Sequence, residues 1–112
     1  MAKHILVLSD GIGSGDEELG RLLMRNFLYA VARNAEKPQS VMLMHGAVRL
    51  ACEDSAAVDH LRLLVDAGVA VRVCGTCLDY LGLKDRVEVG DVGNMVDSVA
   101  SLLSDAEVLT IS

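Results

Sequence analysis

The sequence has few of the residues that mark specialised classes of small protein. Its 112 residues include no Trp, two Tyr and one Phe, too few for a surface on which single-stranded bases stack. Three cysteines are too few for a secreted disulfide scaffold, so we expect a reducing, cytoplasmic compartment. No apolar run approaches the ~20 residues of a membrane span. A strand is predicted almost at the first residue, so we expect no signal peptide.

Basic residues are also scarce. Ten Lys and Arg oppose sixteen Asp and Glu, giving a formal charge of -6, and the basic residues are scattered singly. A nucleic acid would be repelled by such a surface, so we expect no nucleic-acid partner. The hydrophobic fraction of 52% is nevertheless ample for a packed core. We therefore expect one folded domain over residues 1–112.

Short apolar runs alternate with stretches of helical periodicity. Strands are predicted at residues 5–8, 40–44, 69–73, 86–89 and 107–111, with a helix between each pair. This alternation predicts an α/β protein whose mainly parallel sheet of about five strands has helices on both faces. The first helix is predicted to bury a face at helical spacing, consisting of Leu19, Leu22, Leu23, Phe27, Ala30 and Val31.

Two cysteines three positions apart stand where the third strand gives way to a short helix. The helix is predicted to begin at Thr76, which fits a weak capping box with Asp79, and to end at Gly82. Cys77 then lies in the first turn and Cys74 just before it. Helix N-termini stabilise thiolates, the reactive form of cysteine, so both thiols are candidate catalytic groups. The alternative is that they are small core residues, since cysteines are often buried.

The carboxyl ends of the other strands supply further candidates. In parallel sheets, functional residues collect beyond these ends. We expect a substrate-binding role for the residues that occupy this edge, namely Ser9, Asp10, His45, Gly46, Gly75 and Thr76. His45 could serve as an acid or base near the thiols, or simply be hydrogen-bonded. The glycine loop at residues 11–15 lacks the spacing of a phosphate-binding fingerprint and is better interpreted as a flexible turn.

Two other uses of a cysteine pair are disfavoured. A structural zinc site needs four ligands, and nothing in the spacing of His45 or Cys52 requires them to complete one. We therefore expect no metal, and no cofactor. A thioredoxin-like protein needs a cis-proline after the cysteine pair, whereas the only proline, Pro38, precedes it.

Residues 73–85, VCGTCLDYLGLKD, and 89–95, VGDVGNM, resemble the C-terminal domain of YedF-type proteins, within the DsrE/DsrF-like superfamily. The segments at residues 9–20 and 46–50 are also similar to that group, so the resemblance covers nearly the whole chain. It implies a three-layer α/β/α domain, frequent homo- or hetero-oligomers, and persulfide carriage or transfer in sulfur relay. YedF-type proteins are also linked to selenium metabolism.

The resemblance further implies roles for the two thiols. In sulfur-relay relatives the carrier cysteine ends a strand, eight residues before a glycine, and Cys74 and Gly82 match those positions. Cys74 is thus the expected carrier and Cys77 the second or resolving thiol. YedF-type proteins usually have an N-terminal TusA-like carrier domain, which this sequence lacks, so the carrier is a separate protein or the domain has another task. The alternative function is a dithiol redox or small-ligand-binding module without transferase activity.

Overall fold

The structure is a computed structural model that describes residues 3–112. It contains five strands, β1 to β5, at Lys3–Val7, Ser40–Leu43, Ala70–Cys74, Asp91–Gly93 and Glu107–Ile111. Four α-helices, α1 to α4, span Glu17–Arg33, Val58–Asp66, Gly75–Leu81 and Met95–Leu102. Two 3₁₀ helices lie at His45–Ala51 and Lys84–Arg86.

All five strands are parallel and form one sheet in the order β4-β3-β2-β1-β5. The chain moves one strand at a time from β1 to β4, so right-handed crossovers place α1, α2 and α3 on one face. The return from β4 to β5 runs the other way and places α4 on the opposite face. The predicted α/β architecture, with a parallel sheet between two layers of helices, is confirmed.

The main core lies between the sheet and the first helices. Val7, Val41, Leu43 and Val73 point from the strands into it and are fully or almost fully buried. Leu61 and Leu64 of α2 cover them and are fully buried.

The predicted buried face of α1 is largely wrong, since only Phe27 and Val31 of its six residues pack half-buried against the core. The helix buries one narrow stripe at i, i+4 spacing, formed by Gly20, Met24, Leu28 and Ala32. Leu19 and Leu22 are instead 51% and 43% exposed. A β-carbon on Gly20 would lie 3.2 Å from a backbone oxygen of the preceding loop, so the helix approaches that loop backbone closely. This close approach fixes the rotation of α1 about its own axis.

The fourth strand is also misplaced by the sequence prediction. Residues 86–89 were expected to form it, but the strand is Asp91–Gly93, which pairs with residues 72–74 of β3. Val87 makes only an isolated bridge to Cys52, and Val89 is buried in the core. Val87 and Val89 therefore lie in the segment that connects α3 to β4 and pack against the core from there.

The predicted end of α3 at Gly82 is confirmed, and a side chain caps the start of α4. Gly82 ends α3 with a left-handed φ of 69°, and the Asn94 side chain caps α4 by accepting a hydrogen bond from the Asp97 N–H. Within residues 3–112, none of the helices combines the length and the apolar character needed to cross a membrane.

Candidate functional site

Cys74 joins β3 to α3. It is the last residue of the strand and the N-cap of the helix, which begins at Gly75. Its sulfur accepts a hydrogen bond from the Cys77 backbone N–H at 3.4 Å, the role that an oxygen-bearing side chain usually fills at an N-cap. The capping box predicted from Thr76 is therefore wrong. The predicted placement of Cys77 in the first turn, with Cys74 just before the helix, is confirmed.

The two sulfur atoms are in direct contact. Cys77 Sγ lies 2.9 Å from Cys74 Sγ and donates a hydrogen bond to it, and both residues are half-buried free thiols. The backbone N–H of His45 donates to Cys77 Sγ from the other side at 3.1 Å. Cys77 is therefore fixed between a donor and an acceptor, and Cys74 Sγ receives two donated hydrogen bonds, from the N–H and the thiol of Cys77.

The environment of Cys77 favours its protonated form. Burial raises the pKa of the Cys77 thiol, and its hydrogen bond to Cys74 raises it further, while the His45 N–H acts in the opposite direction. Cys77 therefore keeps its proton at neutral pH and can donate it to the neighbouring sulfur. This asymmetry favours Cys74 as the nucleophile of the pair and Cys77 as its proton donor.

His45 reaches the pair through its backbone rather than through its imidazole. Its φ of 54° is left-handed, a conformation that a residue with a β-carbon adopts at a cost of about 1–2 kcal/mol. This conformation begins the 3₁₀ helix directly after β2 and directs the N–H toward Cys77 Sγ. The imidazole itself is exposed. The possible acid or base role of the ring is not needed to explain the position of His45.

The other predicted site residues lie around this pair at different distances. Gly75 packs tightly against β4, since a β-carbon there would lie 3.2 Å from the Gly93 carbonyl oxygen. Thr76 is exposed beside the two cysteines in sequence. Gly46 is close to the backbone of Asp10, so the loops after β1 and β2 meet. The Ser9 hydroxyl accepts a hydrogen bond from the Gly11 N–H and so stabilises its own turn.

A small cavity adjoins Cys74 on the side of the sheet that faces α4. Its volume is about 10 Å³, close to that needed for one water molecule. Met44, Arg72 and Met95 line it together with Cys74, whereas Cys77 does not. None of these three residues was predicted from the sequence as a neighbour of the thiol. Arg72 could have been predicted, because residues two apart on a strand point to the same face and Arg72 is two residues before Cys74.

A larger cleft of about 710 Å³ lies elsewhere, between α1 and the segment that leads into α2. Asp10 is the only predicted site residue on its lining, and neither Cys74 nor Cys77 contributes to it. No cysteine lies on the lining of this cleft.

The third cysteine is separate from the pair. Cys52 is buried, and its thiol donates a hydrogen bond to the Val48 carbonyl oxygen. Burial raises the pKa of Cys52, so its thiol is unreactive at neutral pH. In the part of the chain from residue 3 to residue 112, no group of three or more His, Cys, Asp or Glu side chains is arranged to hold a metal ion.

The model of the DsrE/DsrF-like family matches residues 12–111. The chain belongs to the DsrE/DsrF-like family. The family resemblance predicted from residues 73–95 is therefore confirmed, and the family is associated with sulfur relay in general.

Solved structures are similar to this DsrE/DsrF-like chain over almost its whole length. The ychN protein from E. coli has a TM-score of 0.73 and 22% identity, over 99% of this chain and 100% of that protein. MTH1491 from Methanobacterium thermoautotrophicum, described as a protein of unknown function, has a TM-score of 0.64 and 17% identity, over 98% and 99% of the two chains. At these identities the likeness establishes the fold. No curated protein matches the sequence significantly.

Proposed function

We propose that this protein is a cytoplasmic sulfur-relay protein that carries a sulfane sulfur on Cys74 as a persulfide. The Cys74 thiolate attacks the outer sulfur of a donor persulfide, and the donor leaves as a thiolate. An acceptor thiolate then attacks the outer sulfur on Cys74, and the Cys74 thiolate leaves. The donor and acceptor are expected to be other proteins, such as a TusA-like carrier.

One observation carries the proposal: Cys77 Sγ donates a hydrogen bond to Cys74 Sγ across 2.9 Å. A donated hydrogen bond stabilises the anionic form of the acceptor, and the thiolate is the nucleophile in sulfur transfer. The half-buried position of Cys74 at the carboxyl edge of the sheet leaves its sulfur within reach of a donor. Gly46, Gly75, Thr76 and the backbone of His45 are the proposed substrate-binding groups closest to the pair, with Ser9 and Asp10 farther along the edge.

Persulfide loading tests the assignment of Cys74. Reduced wild-type protein and the variants Cys74→Ser and Cys77→Ser are incubated with a low-molecular-weight persulfide and analysed by intact mass. We expect Cys77→Ser to gain one sulfur atom and Cys74→Ser to gain none, with Cys52→Ala behaving as wild type. Loading of Cys74→Ser to the extent seen in Cys77→Ser would contradict the proposal. Repeating the measurement with a selenium donor tests whether selenium is also a cargo.

The second candidate is a dithiol redox module without transferase activity. The same sulfur contact favours it, because two thiols this close can form a disulfide. A protein of this kind would cycle between dithiol and disulfide in a glutathione buffer but would not acquire sulfur from a persulfide. The two functions therefore differ in whether Cys77→Ser, which cannot form this disulfide, retains one added sulfur atom.

We also propose that the protein forms a homo-oligomer through the surface around α4. Val96 and Leu103 are 80% and 82% exposed, Val92 is also exposed, and the exposed Met95 lines the small cavity at Cys74. Contiguous apolar surface of this kind marks contacts with other protein molecules. Light scattering should give a mass above that of one chain, and Val96→Lys should reduce it. A monomeric wild-type protein would contradict self-association and leave the role of Cys74 untouched.

A further inference from the structure

The contact between the two sulfurs has a consequence once Cys74 is loaded. A disulfide needs a sulfur–sulfur distance of about 2.05 Å. The free thiols already lie 2.9 Å apart, so small side-chain rotations bring them to bonding distance. The inner sulfur of a persulfide on Cys74 is therefore within reach of Cys77, before any acceptor protein is bound.

We propose that Cys77 discharges the Cys74 persulfide within the chain, so that the protein releases hydrosulfide and forms a Cys74–Cys77 disulfide. This inference rests on the proposed persulfide at Cys74. It makes sulfide a product of the protein whenever no acceptor thiol takes the sulfur first, and it makes the protein dependent on a dithiol reductant for its next turnover.

The reaction balances without an outside oxidant. The Cys77 thiol transfers its proton to the outer sulfur of the persulfide, and the resulting Cys77 thiolate attacks Cys74 Sγ. The bond between Cys74 Sγ and the outer sulfur breaks, and its electron pair leaves with hydrosulfide. The sulfane sulfur is reduced to sulfide while the two cysteine sulfurs are oxidised to the disulfide. A small-molecule or protein dithiol then reduces the disulfide by exchange.

The surroundings of the two sulfurs support Cys77 as the attacking thiol and Cys74 as the residue that holds the persulfide. The His45 N–H donates to Cys77 Sγ and so stabilises the thiolate that must form there. Cys74 also lines the cavity of about 10 Å³, whereas Cys77 does not, so the surroundings of the two thiols differ.

The test follows sulfide and protein mass together after loading. Wild-type, Cys77→Ser and Cys77→Ala proteins are loaded with inorganic polysulfide and freed of excess reagent. Released sulfide is then measured over time by methylene-blue formation. We expect wild-type protein to release one sulfide per loaded chain and to end two hydrogen atoms lighter than the reduced protein. Both Cys77 variants should stay one sulfur atom heavier and release sulfide at least about tenfold more slowly. Dithiothreitol should restore the original wild-type mass.

The outcomes separate this inference from the proposed function. A wild-type persulfide that persists as long as that of the Cys77 variants would overturn the internal discharge, while carriage of sulfur on Cys74 would stand. Failure of all three proteins to gain sulfur would overturn both. The variant Cys52→Ala, whose removed thiol is buried away from the pair, should release sulfide as wild type does. Loss of discharge in Cys52→Ala would also contradict the assignment to Cys77.

Discussion

The role of His45 gives the sharpest test of the site geometry. The structure assigns its contribution to the backbone, because the N–H contacts Cys77 Sγ at 3.1 Å and the residue has a φ of 54°. A left-handed residue with a β-carbon costs about 1–2 kcal/mol, which glycine avoids. Glycine also adds about 0.5–1 kcal/mol of unfolded-state entropy. We therefore expect His45→Gly to raise the free energy of unfolding by about 0.5–1 kcal/mol.

A series at this position separates backbone strain from side-chain chemistry. His45→Ala removes the imidazole and keeps the strain, so it should be about 1 kcal/mol less stable than His45→Gly. His45→Val adds a β-branched side chain in the left-handed region and should be the least stable, by about 2 kcal/mol relative to glycine. Urea unfolding measures these differences, and thermal midpoints should move by about 4–8 °C for each kcal/mol.

Persulfide loading of the same variants completes the test. All of them retain the N–H at position 45, so their loading rates should stay within about twofold of wild type, a difference of roughly 0.4 kcal/mol in the barrier. Rates lowered about tenfold in both His45→Gly and His45→Ala would refute the reasoning and return the imidazole to an acid or base role. A loss of stability in His45→Gly would refute the strain argument.

Three further predictions concern the core, the backbone and the pH dependence. Met24→Ala should lower the free energy of unfolding by about 2–5 kcal/mol, because Met24 is fully buried. Leu22→Ala, on the exposed side of α1, should lower it by less than about 1 kcal/mol. Equal losses in the two variants would contradict the observed rotation of α1. Gly90→Ala should destabilise by about 2–4 kcal/mol, because Gly90 has a φ of 88° and an added β-carbon would lie 2.8 Å from a backbone oxygen of β3. Gly82→Ala, with a left-handed φ but open space, should lose only about 1 kcal/mol by the same urea measurement. The pKa of Cys77 in the folded state is raised from 9.0, so folding favours the protonated thiol. The contribution of Cys77 to the free energy of unfolding is therefore complete below pH 9 and declines as the pH rises above it. This part of the decline should vanish in Cys77→Ser, and an unchanged pH profile in that variant would contradict the raised pKa.

The positions of four of the five strands could be predicted from the sequence because each is a short apolar run, whereas the order of the strands could not. β1, β2, β3 and β5 occur close to where these runs lie, and parallel pairing follows from the intervening helices. β4 was misplaced because it begins with Asp91 and ends with Gly93, residue types of low strand propensity, while the more strand-like segment before it packs into the core.

The rotation of α1 could not be predicted from its hydrophobic pattern. Apolar residues occur on nearly all sides of this helix, so several faces satisfy a helical period equally well. The contact that decides between them is the close packing of Gly11 against the backbone at Gly20, a tertiary approach that leaves no mark in the periodicity.

The cysteine pair was visible in the sequence, but part of its environment was not. The spacing of Cys74 and Cys77 and the end of β3 predicted two thiols at a strand-to-helix junction, as observed. The hydrogen bond from His45 depends on a left-handed backbone at a residue that is not glycine, which no residue pattern specifies. The sequence placed His45 near the thiols and left open an acid or base role or a simple hydrogen bond, and the structure shows a hydrogen bond from its backbone N–H.

Peptide-level mass spectrometry of the loaded Cys77→Ser variant tests the central claim most directly. After alkylation of free thiols and persulfides, the added sulfur is located on either Cys74 or Cys52, since these are the two cysteines that remain in this variant. We predict that the added sulfur is found on Cys74, with Cys52 carrying none. Sulfur on Cys52, or an unmodified Cys74 after loading, would contradict the assignment of Cys74 as the sulfur carrier.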